Sequence, residues 1–151
     1  MTEEIFTKEK LAELLLGDLK NELTHLHFYL QSASLVQGLH AKEYKEFFTK
    51  EANKELVHVQ QFYDLMIGLD IDVTNTPYFD KLPKLTNVLD ILKHALTLEQ
   101  EVVSNYSTRM HQAESMKTVD GDWVHIFMEN QIQESRVDVD ELRQIIRGID
   151  N

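Results

Sequence analysis

The chain has 151 residues, room for one domain with a sizeable core, and is 42% apolar and 27% charged, the balance of a soluble globular protein. A net charge of −11 lacks the basic footprint that nucleic acid or an anionic membrane surface requires, and 0 cysteines exclude disulfides and thiolate metal sites. No apolar run nears the roughly 20 residues that cross a bilayer, and the opening MTEEIFTKEK carries no secretory pattern, so a cytoplasmic protein with one domain over 1–151 is expected.

With 5 glycines and 2 prolines the chain favours long uninterrupted helices. The apolar period predicts a first helix from about Lys8 to Gln37, stopping near Gly38, and a second from about Ala41 to Gly68. The segment LDIDVTNTPYFDKLPKL, residues 69–85, holds both prolines and has no helical period, so it reads as a long connection. A third helix is predicted from about Asn87 to Ser115, a turn at KTVDGDW, and a fourth helix from about Trp123 to Arg147. No strand pattern, repeat or low-complexity tract is visible. Short link, long link, short link predicts an all-α fold: a four-helix bundle with one long crossover between helices two and three.

Each helix carries polar residues inside its apolar stripe. Glu22 interrupts Leu15, Leu19, Leu26, Tyr29, Ala33 and Val36. Glu55 lies among Phe48, Ala52, Val59, Phe62 and Met66, with His58 beside it. Glu99 falls among Val88, Leu92, Ala95, Val103, Tyr106 and Met110. On the fourth helix Gln131 and Glu134 share a side with Val124, Phe127, Leu142 and Ile145. Buried ionised carboxylates repel and are costly alone, so they are either protonated or neutralised by cations. No Lys or Arg falls at the centre of these stripes, which favours a bound metal. A single Glu-x-x-His is weak evidence, and Glu22 with His25 has that spacing as an accident of composition. Gln131 also reads as a hydrogen-bonded core amide, and Tyr29 as ordinary packing. The oxygen-rich donor set with one imidazole suits Fe(II) or Mn(II) above structural zinc. Glu55, next to His58, is the natural bridge between two metals.

These motifs resemble the non-haem ferritins over nearly the whole chain. NELTHLHFYLQSAS is similar to the ferritin first-helix motif, a ligand Glu two turns before a tyrosine, here Glu22 and Tyr29. FFTKEANKELVHVQQFYDL is similar to the segment of the bridging Glu and its His, at Glu55 and His58. LEQEVVSNY places the second-metal Glu at Glu99, and FMENQIQES aligns Gln131 with the glutamine near that metal and Glu134 with an extra carboxylate of some bacterial ferritins. The resemblance implies a ferroxidase with two iron ions per subunit and Fe(II) and dioxygen as reactants. Glu22, Glu55 and His58 would hold one ion; Glu55 and Glu99 the other, with Gln131 and Glu134 close by and Tyr29 as electron or hydrogen-bond donor. A homo-oligomer is implied, the 24-subunit storage shell being the form in most relatives.

Several departures qualify the resemblance. Lys54, Asn130 and Gln133 stand where a third iron site would have acids, so that site is expected to be missing, and Glu51 is a candidate for iron in transit. Leu56 replaces the haem-ligating methionine of bacterioferritins, so no such haem is expected, and no second Glu-x-x-His falls on the last helix. Most ferritins continue into a short fifth helix that lines the four-fold channels of the shell; this sequence reaches Asn151 just after its fourth helix and is expected to lack it, which makes oxidation a safer expectation than storage. The alternatives are a di-iron peroxidase or oxygenase, a non-storing iron buffer, and a non-catalytic interaction bundle. A mini-ferritin with ligands at a dimer interface fits less well. An oxygenase needs an organic-substrate pocket, which cannot be read from the sequence.

Overall fold

A computed structural model describes residues 6–74 and 78–150; the first residues of the expected non-secretory opening, part of the crossover and Asn151 lie outside them. Four helices form: α1 (Lys8–Leu35), α2 (Ala41–Gly68), α3 (Val88–Ser115) and α4 (Val119–Asp150). Among the described residues there is no strand and no helix long and apolar enough to cross a membrane.

The helix limits follow from local chemistry. Thr7 caps α1, its hydroxyl accepting from the Lys10 amide at 3.1 Å, and Asn87 caps α3 through the Asp90 amide at 3.2 Å. The first helix ends before Gln37, as predicted bounds go a little early, because the Gln37 amide turns to the Thr86 carbonyl at 2.9 Å and ties this turn to the end of the crossover. The fourth helix begins before the expected Trp123. Thr118 accepts from the Gly121 amide at 3.0 Å, and Asp120 and Asp122 favour the positive end of the helix. Gly121 is needed in that first turn, since a Cβ there would strike the Ala113 carbonyl.

Hydrogen bonds and ion pairs fix how the helices run. Lys54–Asp138, His58–Glu134 and Gln61–Gln131 link α2 and α4, climbing one helix while descending the other. Asp18–Arg109, Glu22–Tyr106 and Tyr29–Glu99 do the same for α1 and α3. Both pairs are antiparallel. The crossover is held on α1 by Lys20–Asp80 at 2.8 Å and by His27 stacked on Phe79.

The core comes in two apolar halves. One gathers Leu11, Leu15, Leu19, Phe62, Met66, Val124 and Met128; the other gathers Phe28, Phe48, Ile91, Leu92, Leu142 and Ile146. Each fully buried Phe contributes on the order of 1.5–3 kcal/mol. Between the halves lies a polar layer to which every helix contributes. On α3 and α4 the buried stripe differs by one position from the prediction: Val102, Met128 and Ile146 are buried where Val103, Phe127 and Ile145 were expected. Both registers step by three and four, and the positions of the neighbouring helices, not the period, decide which points inward.

Candidate metal centre

The polar layer contains three carboxylates that are almost fully buried: Glu22, Glu55 and Glu99, each 1% exposed. Two imidazoles join them, His58 from α2 and His25 from α1. The residues fall into two sets, Glu22–Glu55–His58 and His25–Glu55–Glu99, each with one ligand atom per residue within 4.8 Å of the others. Glu55 is common to both. Each Glu-x-x-His step places its two side chains on neighbouring positions of one helix face.

His58 Nδ1 lies 3.2 Å from Glu55 Oε2 and 3.6 Å from Glu22 Oε2. Its other nitrogen, Nε2, lies 2.8 Å from Glu134 Oε2. On the far side His25 Nδ1 is 3.7 Å from Glu99 Oε1. Two buried tyrosines cross the layer: Tyr29 donates to Glu99 Oε1 at 3.2 Å, and Tyr106 donates to Glu22 Oε1. Glu22 Oε2 is buried with no hydrogen-bond partner among the described residues. An orphaned carboxylate oxygen facing an imidazole and a second carboxylate is a position a cation satisfies.

Without a cation the acids depend on protons and on one another. Burial raises Glu22, but the adjacent His58 and Glu55 and the charge of His25 outweigh it and hold the carboxyl down at about 2. Burial, with the Glu22 charge beside it, raises Glu55 well above the ordinary carboxyl range. The pair therefore shares a proton that sits on the Glu55 side. Burial lowers His58, yet the Glu22 and Glu55 carboxylates beside it prevail and push it up to about 11. Burial lifts the Tyr29 and Tyr106 hydroxyls far above 10, so both remain donors.

The predicted residues divide by position. Glu22, Glu55, His58 and Glu99 converge. Gln131 is buried, donating to Gln61 Oε1 at 2.8 Å while its own Oε1 is unpaired. Glu134 is 55% exposed, so it does not interrupt a buried stripe as its spacing suggested; it stands outside both sets, against His58. The buried acid of α4 is instead Asp138. Glu51 joins Asp138 and Glu141 in a second acidic group, with Lys54 Nζ 2.9 Å from Glu51 and 3.3 Å from Asp138. Of the nearby cations among the described residues, Arg109 is taken by Asp18 at 2.7 Å and Lys54, 42% exposed, by the outer acids, which leaves the centre of the stripes without Lys or Arg as expected. Neither has an ion pair with Glu22, Glu55 or Glu99.

His25 and Tyr106 were not recognised as site residues in the sequence. The signal was there: Glu22-x-x-His25 repeats the spacing of Glu55-x-x-His58, and Glu99 precedes Tyr106 by the seven residues that separate Glu22 from Tyr29.

The ferritin family, described as a ferritin-like domain, matches residues 12–151. The chain belongs to this family. No curated protein matches the sequence. Among solved structures it is similar to a ferritin-like, diiron-carboxylate protein from Bacillus anthracis str. Ames, with TM-score 0.81 and 22% identity over 97% of this chain and 99% of that one. BfrA from M. tuberculosis superimposes with TM-score 0.85 at 16% identity, over 95% of this chain and 87% of that one. The bacterioferritin-related dodecameric thioferritin from Bacteroides fragilis gives 0.78 at 17%, over 93% and 86%. At these identities the likeness is one of fold: the ferritin-like four-helix bundle.

Proposed function

We propose that this protein is a ferroxidase, binding two Fe(II) ions per chain and oxidising them with dioxygen. The observation that carries the reading is the pair of ligand sets that share Glu55 inside the bundle. Two-metal centres need ions about 3.5–4 Å apart, and a carboxylate common to both sets provides that spacing. Glu22, Glu55 and His58 would hold one ion and Glu55 and Glu99 the other. Each Fe(II) gives up one electron; dioxygen takes the two electrons with two protons, which is reduction to the peroxide level. The anionic shell favours Fe(III) over Fe(II).

The remaining residues have roles by position. Glu134 accepts from His58 Nε2, which fixes the tautomer that leaves Nδ1 for metal. Gln131 keeps an Oε1 unpaired among the described residues, and its Gln61 partner and the neighbouring Glu134 favour the His58 side of the centre over the Glu99 side. Tyr29 orients Glu99 and is placed to donate an electron or a proton. Glu51 remains a candidate for iron in transit, in competition with Lys54. The whole chain, 1–151, is read as one such domain, acting in the cytoplasm as a homo-oligomer and storing iron if a shell forms.

A second reading has one observation in its favour. A cavity of about 420 Å³ lined by Gln61, Leu65, Trp123, Phe127, Gln131 and Glu134 opens beside the centre. It is large enough for a small organic molecule, as a di-iron oxygenase or peroxidase would require. Anaerobic addition of two Fe(II) per chain, followed by rapid mixing with oxygen, separates the readings. Fast oxidation without an organic substrate, lost in Glu55→Ala, supports the ferroxidase. Oxidation no faster than in buffer overturns it. Light scattering on the same sample shows whether a large hollow particle accompanies the activity.

A further inference from the structure

We propose that His25 is a metal ligand, so that each of the two ions is held by one imidazole as well as by carboxylates. The inference rests on the two-metal reading above and adds to it a residue that the ferritin resemblance does not supply.

Three observations carry it. First, His25 is 3% exposed and its nearest ionic partner is Glu99, 3.7 Å from Nδ1. That is too long for a hydrogen bond. Two donor atoms on adjacent positions around one ion, each about 2.1 Å from it, lie roughly 3.0–3.4 Å apart. The 3.7 Å spacing needs only a small inward movement to match. The ligand pair proposed opposite is much the same, with His58 Nδ1 3.6 Å from Glu22 Oε2. Second, Glu99 does not depend on His25 for a donor, because Tyr29 already donates to it. Nδ1 of His25 is therefore not needed by Glu99 and is left facing it as a donor to a metal. Third, the two sets match around Glu55: Glu22 with His58 on one side, Glu99 with His25 on the other. Helix α1 then supplies a ligand to each ion, Glu22 to the first and His25 to the second. The second imidazole of the centre comes from the first helix, where the sequence reading looked for it on the last.

Cobalt(II) is a suitable probe, since it binds N/O sites without being oxidised by the protein. Anaerobic titration of the full chain is expected to give two Co(II) per wild-type chain. In His25→Ala the second ion should weaken by at least the roughly 10–100-fold that loss of even an outer partner of a ligand costs. Tyr29→Phe, which disturbs the same Glu99 without removing a ligand, should keep both ions. NMR of the cobalt-loaded wild type should show two exchangeable imidazole N–H resonances shifted by the metal, from His25 and His58, with one lost in His25→Gln. This spectrum decides the question even if both variants fold poorly. Two bound cobalt ions with a single shifted imidazole in wild type overturn the role of His25 alone. No cobalt binding in wild type overturns the two-metal reading with it.

Discussion

Two groups of acids lie within a turn or two of each other in this bundle, and they are neutralised differently. The outer group, Glu51, Asp138 and Glu141, has Lys54 Nζ within 3.3 Å of Asp138 and 2.9 Å of Glu51. Its cation is covalently part of the chain. The inner group, Glu22, Glu55 and Glu99, has two histidines and two tyrosines around it and, among the described residues, no lysine or arginine paired with it. It holds its charge only by keeping a proton on Glu55 and another on His58. A lysine makes an acid cluster permanent structure. Histidines, which can be neutral, leave room for a metal.

Removing the shared ligand breaks the inner group most severely. Glu55→Ala is expected to lower cobalt uptake from two ions to at most one and to slow Fe(II) oxidation by about 100-fold or more. In the metal-free protein Glu55→Met should be close to neutral, within about 1–2 kcal/mol, because the packing it adds and the buried carboxyl it removes offset the His58 contact that is lost. Thermal unfolding without and with cobalt checks both halves. A metal-free Glu55→Met protein with a markedly lower melting point would contradict this account of the inner group.

Acid should act next most strongly. Metal binding must expel the protons that Glu55 and His58 hold at neutral pH, with any carried by His25 in addition, at least about two per pair of ions. Cobalt affinity should fall by about 100-fold or more for each pH unit of acidification near neutrality. Proton release in weakly buffered solution counts them directly; no release would show that the metal-free ligands are already deprotonated. In the metal-free protein the signs differ by residue. His58 is raised to about 11, so its contribution to stability is whole below about 6.5 and is lost as pH rises through about 11. Glu22 is lowered to about 2, so its contribution is whole above about 4.5 and is lost as pH falls from there through about 2.

The contrast between the groups also explains what was legible in the sequence. Helix number, the long crossover and four converging residues, Glu22, Glu55, His58 and Glu99, follow from local periodicity and from motifs that resemble a known family. Burial on α4 did not follow, because Glu134 and Asp138 are one turn apart and only the position of α2 decides which is enclosed. His25 was legible as spacing but not as a site. One Glu-x-x-His carries little information by itself, and its meaning comes from Glu99, which reaches it from a helix more than seventy residues away in sequence. Lys54 was read as the absence of an acid; its role as the cation of the outer group appears only when Asp138 is beside it.

On the outer group, Lys54→Met should destabilise the protein by about 1–2 kcal/mol. Loss of one partner of a buried pair would cost more, but the lysine is 42% exposed and water screens part of the effect. Cobalt uptake should remain two per chain, since neither ligand set includes Lys54. A fall in stoichiometry would show that the two groups are not independent.

The smallest effect expected is that of the tyrosines. Tyr29→Phe removes one hydrogen bond to Glu99, and Tyr106→Phe removes one to Glu22. Each should cost on the order of 1 kcal/mol of metal-free stability and keep both cobalt ions. The two act on opposite ions, so their effects should add when combined, the ligands being linked only through Glu55. If instead the double variant loses far more than the sum of the two, the carboxylates are held as one network, and the proton on Glu55 is shared across all three acids and not only with Glu22. Denaturant unfolding of the two single variants and the double variant measures that coupling directly.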